Sequence, residues 1–365
     1  MRADVSNLSM DNPGDVSALA ALIDEGALDP RDIVAIIGKT EGNGGVNDFT
    51  RGFFTDRLMR LLSRHLGESE ESLTARIPCV LSGGTEGVLS PHYLVLSRRA
   101  DAAAPGGAPA LAIGTAFSPM VAPADIGRRA HVLAIADAVR AAITDAGITD
   151  DADVHFVQVK TPFLTVPRLA ALAEAGIVPS SPTPQSSMAL ARAAGAFGVA
   201  IALGELDRDA PVETMMLKDF SVHCDRASIS SGVEVVANEV VVLGNSPGWT
   251  GPLRITHRPM ADALDARAIT RALADLDLGD DATRAQRLCG VLVKAEPDRR
   301  GTIRGHRHTM LGDTDIDAQR HIRGALGGLV AGLVGDTRIF VSGGAEHQGP
   351  DGGGLLAIIA ETGSD

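Results

Sequence analysis

Val341-Ser342-Gly343-Gly344-Ala345-Glu346 ends an apolar run on a serine, two glycines and, four residues after the serine, a glutamate. The same pattern is written earlier as Val80-Leu81-Ser82-Gly83-Gly84-Thr85-Glu86 and, more loosely, as Ser228-Ile229-Ser230-Ser231-Gly232-Val233-Glu234. One such run is ordinary loop chemistry. Three in one chain point to an internal repeat, in which each copy belongs to one structural unit.

Working outward, two clusters of turn formers break the chain: residues 101–109, around Pro105-Gly106-Gly107, and residues 244–252, around Pro247-Gly248. They separate units spanning 1–103, 111–248 and 253–365, each of a size that folds around its own core. The units share one order. An apolar strand (33–37, 154–159, 290–293) leads to a lysine, Lys39, Lys160 or Lys294. A helix follows (49–66, 187–202, 318–333), and a second strand (77–81, 227–230, 338–341) delivers the serine. Residues 235–243 read as a further strand, and 15–25, 128–146, 166–175 and 262–276 as further helices. Alternating strands and helices make the fold α/β or α+β.

Composition bounds the function. With 45% hydrophobic and 22% charged residues the 365-residue chain is ordinary for a soluble globular protein. A net charge of −13 argues against general affinity for nucleic acid, and with aromatics at 3% base-stacking platforms are absent too. Cys79, Cys224 and Cys289 lie in or beside apolar runs and read as reduced, buried thiols. No charged-then-apolar leader opens the sequence and no apolar run is long enough to span a bilayer. A cytoplasmic enzyme or binding protein, with no nucleic-acid or membrane partner, is the class that remains.

Aligned on their strand ends, the units carry a second and third repeat. Lysines close the first strands, and arginines Arg51, Arg192 and Arg323 lie on the helices. Each unit therefore supplies Lys, Arg and Ser in that order, with the serine 43, 70 and 48 residues after its lysine. A single strand-end lysine is normally solvated, but the triple coincidence favours a shared site. If the units pack about a pseudo-threefold axis, strand ends of one kind converge on one face around one cavity. A serine needs an adjacent base to act as nucleophile. Lysine can be that base when burial and neighbouring cations depress its pKa. The glycines beside the serines let backbone N–H groups approach a ligand oxygen, as an oxyanion hole requires. Arginines suit anionic or planar polar ligands. A threefold ring of donors matches a small planar ring with carbonyls on its rim, and hydrolysis of a cyclic imide is the chemistry that fits.

On these three Lys/Arg/Ser sets, and on the run Ser342-Gly343-Gly344-Ala345-Glu346-His347-Gln348-Gly349-Pro350, the whole chain resembles the ring-opening amidohydrolases, the family of cyanuric acid hydrolases and barbiturases. The resemblance implies three α/β units round a central barrel-like core, with one active site on a pseudo-threefold axis. It implies opening of cyanuric acid to carboxybiuret, which decarboxylates to biuret, with no metal in the chemistry. Arg51, Arg192 and Arg323 would hold the carbonyl oxygens, and Ser82-Gly83, Ser230-Ser231 and Ser342-Gly343 would complete the ring of contacts, with Lys39 and Lys294 beside them. By the same analogy Lys160 activates Ser230 as nucleophile, Ser82/Lys39 being the rival pair. The family also implies a structural Mg²⁺ or Ca²⁺ held by Glu296 and by oxygens of Ala345, Gln348, Gly349, Pro350 and Gly353, a donor set that suits a hard cation. A homotetramer is implied as well.

Other signals carry less. Gly42-Asn43-Gly44-Gly45 lacks the spacing and terminal Lys-Ser/Thr of a phosphate loop. His306-Arg307-His308 has no third ligand at zinc-site spacing, and 313–317 lacks the glycine and glutamate of a calcium loop. No GxSxG elbow or SxxK box accompanies the serines. Two other functions stand beside cyanuric acid hydrolysis: a barbiturase opening barbituric acid to ureidomalonate, and a non-catalytic binder of a small anion.

Overall fold

The structure, a computed structural model, describes residues 1–101, 107–278 and 283–362. In chain order it runs β1 (Arg2–Ser9), α1 (Ser17–Asp24), β2 (Ile33–Thr40), α2 (Thr50–Leu66), α3 (Glu70–Thr74), β3 (Cys79–Gly83) and β4 (His92–Arg99). Then come β5 (Ala110–Met120), α4 (Arg129–Asp145), β6 (Val154–Thr161), α5 (Val166–Glu174), α6 (Pro184–Ala202), α7 (Val212–Met215), β7 (Ala227–Ser231) and β8 (Ala237–Ser246). The last stretch holds β9 (Leu253–Met260), α8 (Ala266–Asp275), α9 (Arg284–Arg287), β10 (Leu288–Ala295), the short β11 (Thr302–Ile303) and β12 (His306–Arg307), α10 (Ala318–Val334), β13 (Phe340–Ser342) and β14 (Gly354–Glu361).

Three four-stranded sheets share one topology: β1-β4-β2-β3, β5-β8-β6-β7 and β9-β14-β10-β13. In each, the first three strands pair antiparallel and the last pair, the lysine strand and the serine strand, is parallel. A parallel pair needs a crossover, and in every case a long helix supplies it: α2, α6 or α10. The fold is mixed α/β, and none of the sheets among the described residues closes on itself. The strands make three separate open sheets, which meet through one shared apolar cluster.

Period-two patterning explains that meeting. On β4, Tyr93 and Val95 join the cluster formed with Leu19, Phe54 and Leu58 of the covering helices. Leu94 and Leu96, which point the other way, join a different cluster with Leu111, Ile113, Val157, Val159, Leu292, Phe340 and Ile359. Each sheet is therefore roofed by helices on one face and shares its other face with the remaining two. Strands buried on both faces read as nearly continuous apolar runs, which is how β2 and β10 appear in the sequence, while His155 and Gln158 interrupt β6.

The predicted helices agree with α1, α2, α4, α5, α6, α8 and α10 to within a few residues. The lysine strands run further than predicted, so Lys39, Lys160 and Lys294 lie inside their strands and are fully buried rather than solvated at the ends. The first linker falls largely on residues 102–106, outside the described residues. The second is shorter than 244–252, because Gly244, Asn245 and Ser246 complete β8. Gly244 serves packing there: a Cβ would collide with the backbone oxygen of Asp153. His306 lies in a two-strand hairpin, exposed, and His308 Nε2 lies 3.1 Å from Asp298 O.

Candidate active site

Register brings each lysine to its serine. In the parallel pairs Lys39 stands beside Ser82, Lys160 beside Ser230 and Lys294 beside Ser342, so the two side chains of each pair share a face of the sheet. The sheets then bring the pairs together. Ser82 Oγ donates to Ser342 Oγ at 3.3 Å. Lys160 Nζ donates to Leu81 O at 2.8 Å, beside Ser82, and Lys294 Nζ donates to Ile229 O at 2.5 Å, beside Ser230. All nine predicted Lys, Arg and Ser residues are buried or nearly so, and they meet as one constellation.

The three pairs are not alike. Lys39 Nζ donates to Ser82 Oγ at 3.2 Å and to Gly83 O at 2.9 Å. Lys294 Nζ donates to Ser342 Oγ and to Gly343 O, both at 2.9 Å. Burial, reinforced by Arg323 for Lys39 and by Arg192 for Lys294, pulls both ammonium groups well below the usual lysine range. Lys160 instead pairs with Glu234 at 2.7 Å. Its pKa is also depressed by burial, but Glu234 works against the shift. Ser230 Oγ is buried and has no hydrogen-bond partner among the described residues. Two serine hydroxyls are thus tied to lysines and to each other, while the third is uncommitted.

The arginines are held by the glutamates that close the repeat. Arg323 Nε and Nη2 donate to Glu86 at 2.8 and 2.6 Å, and Arg192 Nε and Nη2 donate to Glu346 at 2.7 and 2.5 Å. Arg51 Nε lies 3.4 Å from Glu234. Each arginine comes from the crossover helix of one sheet and each glutamate from the loop after the next sheet's serine strand, so the order closes on itself. Burial raises the pKa of these carboxyls, yet the guanidinium groups, and Lys160 for Glu234, hold all three below the ordinary glutamate value. Sequence reasoning used Glu86, Glu234 and Glu346 as repeat markers and did not place them in the site. Their spacing of four residues after each serine was the available signal.

Glycines open the rim. At Gly344, where φ is +69°, a Cβ would collide with the Arg192 guanidinium, and at Gly343 it would lie 2.9 Å from Arg323 Nη1. Gly344 N donates to Gln319 Oε1 at 2.8 Å. Ser231, which replaces that first glycine in the second copy, receives Arg192 Nη1 at 3.4 Å. Gly44 N and Thr50 N donate to Asp48, whose carboxylate folds residues 42–48 over Gly83. This loop, Met188, Gln319 and the arginines Arg192 and Arg323 line a cavity of about 420 Å³, roomy for a small ring and its waters.

The predicted metal residues lie just beyond. Glu296 follows β10, and the turn 345–353 is stitched to the second sheet's segment through Cys224 N to His347 O and Gly349 N to Cys224 O, each 3.0 Å. Gln348 Oε1 accepts from Ile229 N at 2.6 Å, so its side-chain oxygen is committed to β7. Among the described residues no group of three or more His, Cys, Asp or Glu side chains is arranged to hold a metal ion.

Known proteins share the sequence and the fold. A family model described as amidohydrolase ring-opening protein matches residues 4–361. A cyanuric acid amidohydrolase of Ectopseudomonas oleovorans is 49% identical over 99% of this chain and 100% of its own. One from a Methylobacterium species is 51% identical over 98% and 97%. Among solved structures, a cyanuric acid hydrolase superimposes with a TM-score of 0.95 at 43% identity, covering 99% of both chains. That from A. caulinodans gives 0.92 at 47% identity over 100% of this chain and 99% of its own.

Proposed function

Because the chain belongs to the ring-opening amidohydrolase family, we propose that it hydrolyses one C–N bond of cyanuric acid, giving carboxybiuret and, after loss of carbon dioxide, biuret. The relatives named above carry that activity in their names. The observation that carries the reading is the closed order of three Arg–Glu pairs around three Lys–Ser pairs. A site with threefold repeated donors complements a ring with three equivalent carbonyls, and the shared strand order of the sheets supports units 1–103, 111–248 and 253–365 set about a pseudo-threefold axis.

In this reading the arginines and the backbone N–H groups beside the serines orient the ring. Ser230 Oγ attacks one ring carbonyl and its proton passes to Lys160 Nζ. The C–N bond breaks as Lys160 returns that proton to the leaving ring nitrogen. Water then hydrolyses the Ser230 ester and regenerates the hydroxyl. Ser230 is favoured over Ser82 and Ser342 because its hydroxyl is uncommitted. Lys160 must first be neutral, and Glu234 at 2.7 Å opposes that.

A structural cation fits Glu296. This carboxyl is buried, and burial together with Glu346 and Asp351 raises its pKa to about 8. A bound Mg²⁺ or Ca²⁺ would relieve that crowding. Glu296, with backbone oxygens of Ala345, Gln348, Gly349, Pro350 and Gly353, would hold the ion, which would brace the turn after Ser342.

Incubating the protein separately with cyanuric and barbituric acid, and following ring absorbance together with biuret, tests the proposal. Consumption of cyanuric acid with formation of biuret is the expected result. Turnover of barbituric acid alone, or binding of either ring without turnover, would overturn it.

A further inference from the structure

The three lysines hold equivalent positions, so what stands opposite each across the sheet distinguishes them. In the antiparallel registers Lys39 faces His92, Lys160 faces Glu239 and Lys294 faces Leu355. Directly opposed residues of antiparallel strands project to the same face as near neighbours. Lys160 alone has a carboxylate there.

Both side chains cross to the same neighbouring strand. Glu239, 8% exposed, accepts from Cys79 N at 3.1 Å at the start of β3, and Lys160 Nζ donates to Leu81 O at 2.8 Å further along it. Glu234 meets the lysine at 2.7 Å and Arg51 lies against Glu234 at 3.4 Å.

We propose that Glu239 is a positioning residue for the reaction: as a second carboxylate beside Lys160 it governs that lysine's charge, and so marks out the Lys160/Ser230 pair from its two counterparts. Lys160, Arg51, Glu234 and Glu239 form a buried set of two cations and two carboxylates. When Lys160 Nζ leaves Leu81 O, turns along β3 and gives its proton to Glu239, an amine and a carboxylic acid replace an ammonium and a carboxylate. The set stays neutral, Arg51 keeps Glu234, and the amine can take the Ser230 proton. Neither Leu355 nor His92, whose Nδ1 is bound at 2.8 Å to Ser90 O, offers Lys294 or Lys39 a carboxylate in this position.

The groups that face Glu239 are Cys79 from β3, Lys160 from β6 and Glu234 from the loop after β7. Burial, opposed by the Cys79 N–H and Lys160, raises the Glu239 carboxyl to about 7, where it can both hold and release a proton. Two groups so placed titrate as a pair, with apparent values that belong to both.

The proposal rests on the assignment of the reaction to Ser230 and Lys160, and the test separates the two. Glu239→Gln keeps an oxygen for Cys79 N–H but cannot titrate. The full-length protein and this variant are compared by kcat and KM for cyanuric acid from pH 5 to 9. Without that acceptor Lys160 must give its proton to solvent, so the low-pH limb of kcat moves up by about one pH unit with KM within about threefold. His92→Gln leaves the limb in place. Should Glu239→Gln melt early, Glu239→Asp serves, its retracted carboxylate again displacing the limb. An unmoved limb in the folded variant while Ser230→Ala is inactive would overturn the role of Glu239 alone. Retained turnover in Ser230→Ala would instead overturn the underlying assignment.

Discussion

Arg192 Nε donates to Glu346 Oε2 at 2.7 Å, although the arginine rides on the crossover helix of the second sheet and the glutamate on the loop after the third sheet's serine. Arg323 and Glu86 repeat the relationship between the third sheet and the first, and Arg51 and Glu234 between the first and the second. Each guanidinium takes its carboxylate partner from a neighbouring sheet's loop. The arginines proposed to hold the ring are thus also contacts between sheets.

Removing one carboxylate therefore costs both stability and activity. In Glu346→Gln the Arg192 charge remains buried without its partner, a situation worth about 3 kcal/mol of destabilisation for a largely buried pair. Urea unfolding should report that loss, and kcat/KM for the ring should fall at least about tenfold as the guanidinium loses its orientation.

Alanine at the serines separates chemistry from binding. Ser230→Ala should lower kcat by at least about a thousandfold, the scale seen when a nucleophile is deleted. Ser82→Ala removes an oxygen that Lys39 Nζ and Ser342 Oγ already engage, so its main effect should be on KM. Steady-state kinetics of the two variants checks this, and loss of turnover in Ser82→Ala alone would reverse the assignment.

Two buried histidines predict acid lability. Burial depresses His92 and His131 to about 4, against 6.5 for the free side chain. Both are neutral in the fold and bind protons more readily when unfolded. Their contribution is fully present above about pH 6.5 and declines as pH falls toward 4, by about 2 kcal/mol each at pH 5. Melting curves between pH 7 and 4.5 should show the loss. His131→Gln should lessen the loss by its own share, leaving that of His92.

Divalent ions should stabilise the turn after Ser342. Dialysis against chelator lowers Tm if Glu296 holds a cation, and added Mg²⁺ or Ca²⁺ restores it. Glu296→Gln should abolish the response to chelator. An unchanged Tm in the parent protein would remove the cation from the account.

Much of the fold was legible because its chemistry is local. Apolar runs at 33–37, 154–159 and 290–293, and helices such as α10, with Ile322, Leu326, Val330 and Val334 on one buried stripe, announce themselves by pattern. The strands that escaped notice were β1, β4, β5, β9 and β14, with the short β11 and β12. β1, an edge strand reading Arg-Ala-Asp-Val-Ser-Asn-Leu-Ser, is mostly half-buried and carries little apolar signal. At the site, the lysines, arginines and serines were readable from their threefold recurrence. The glutamates recurred equally well, but a carboxylate after a glycine pair looks like any loop residue until a second sheet brings an arginine against it. Glu239 could not be found by recurrence at all, since its counterparts are His92 and Leu355.

The two ends of the described chain meet the same short turn. Thr250 N donates to Met1 O at 2.8 Å and Thr362 N donates to Pro252 O at 2.9 Å. The order of the sheets closes on itself, with both described ends at one seam. A circular permutant, joined across that seam and reopened between the first and second sheets, should assemble the same pocket.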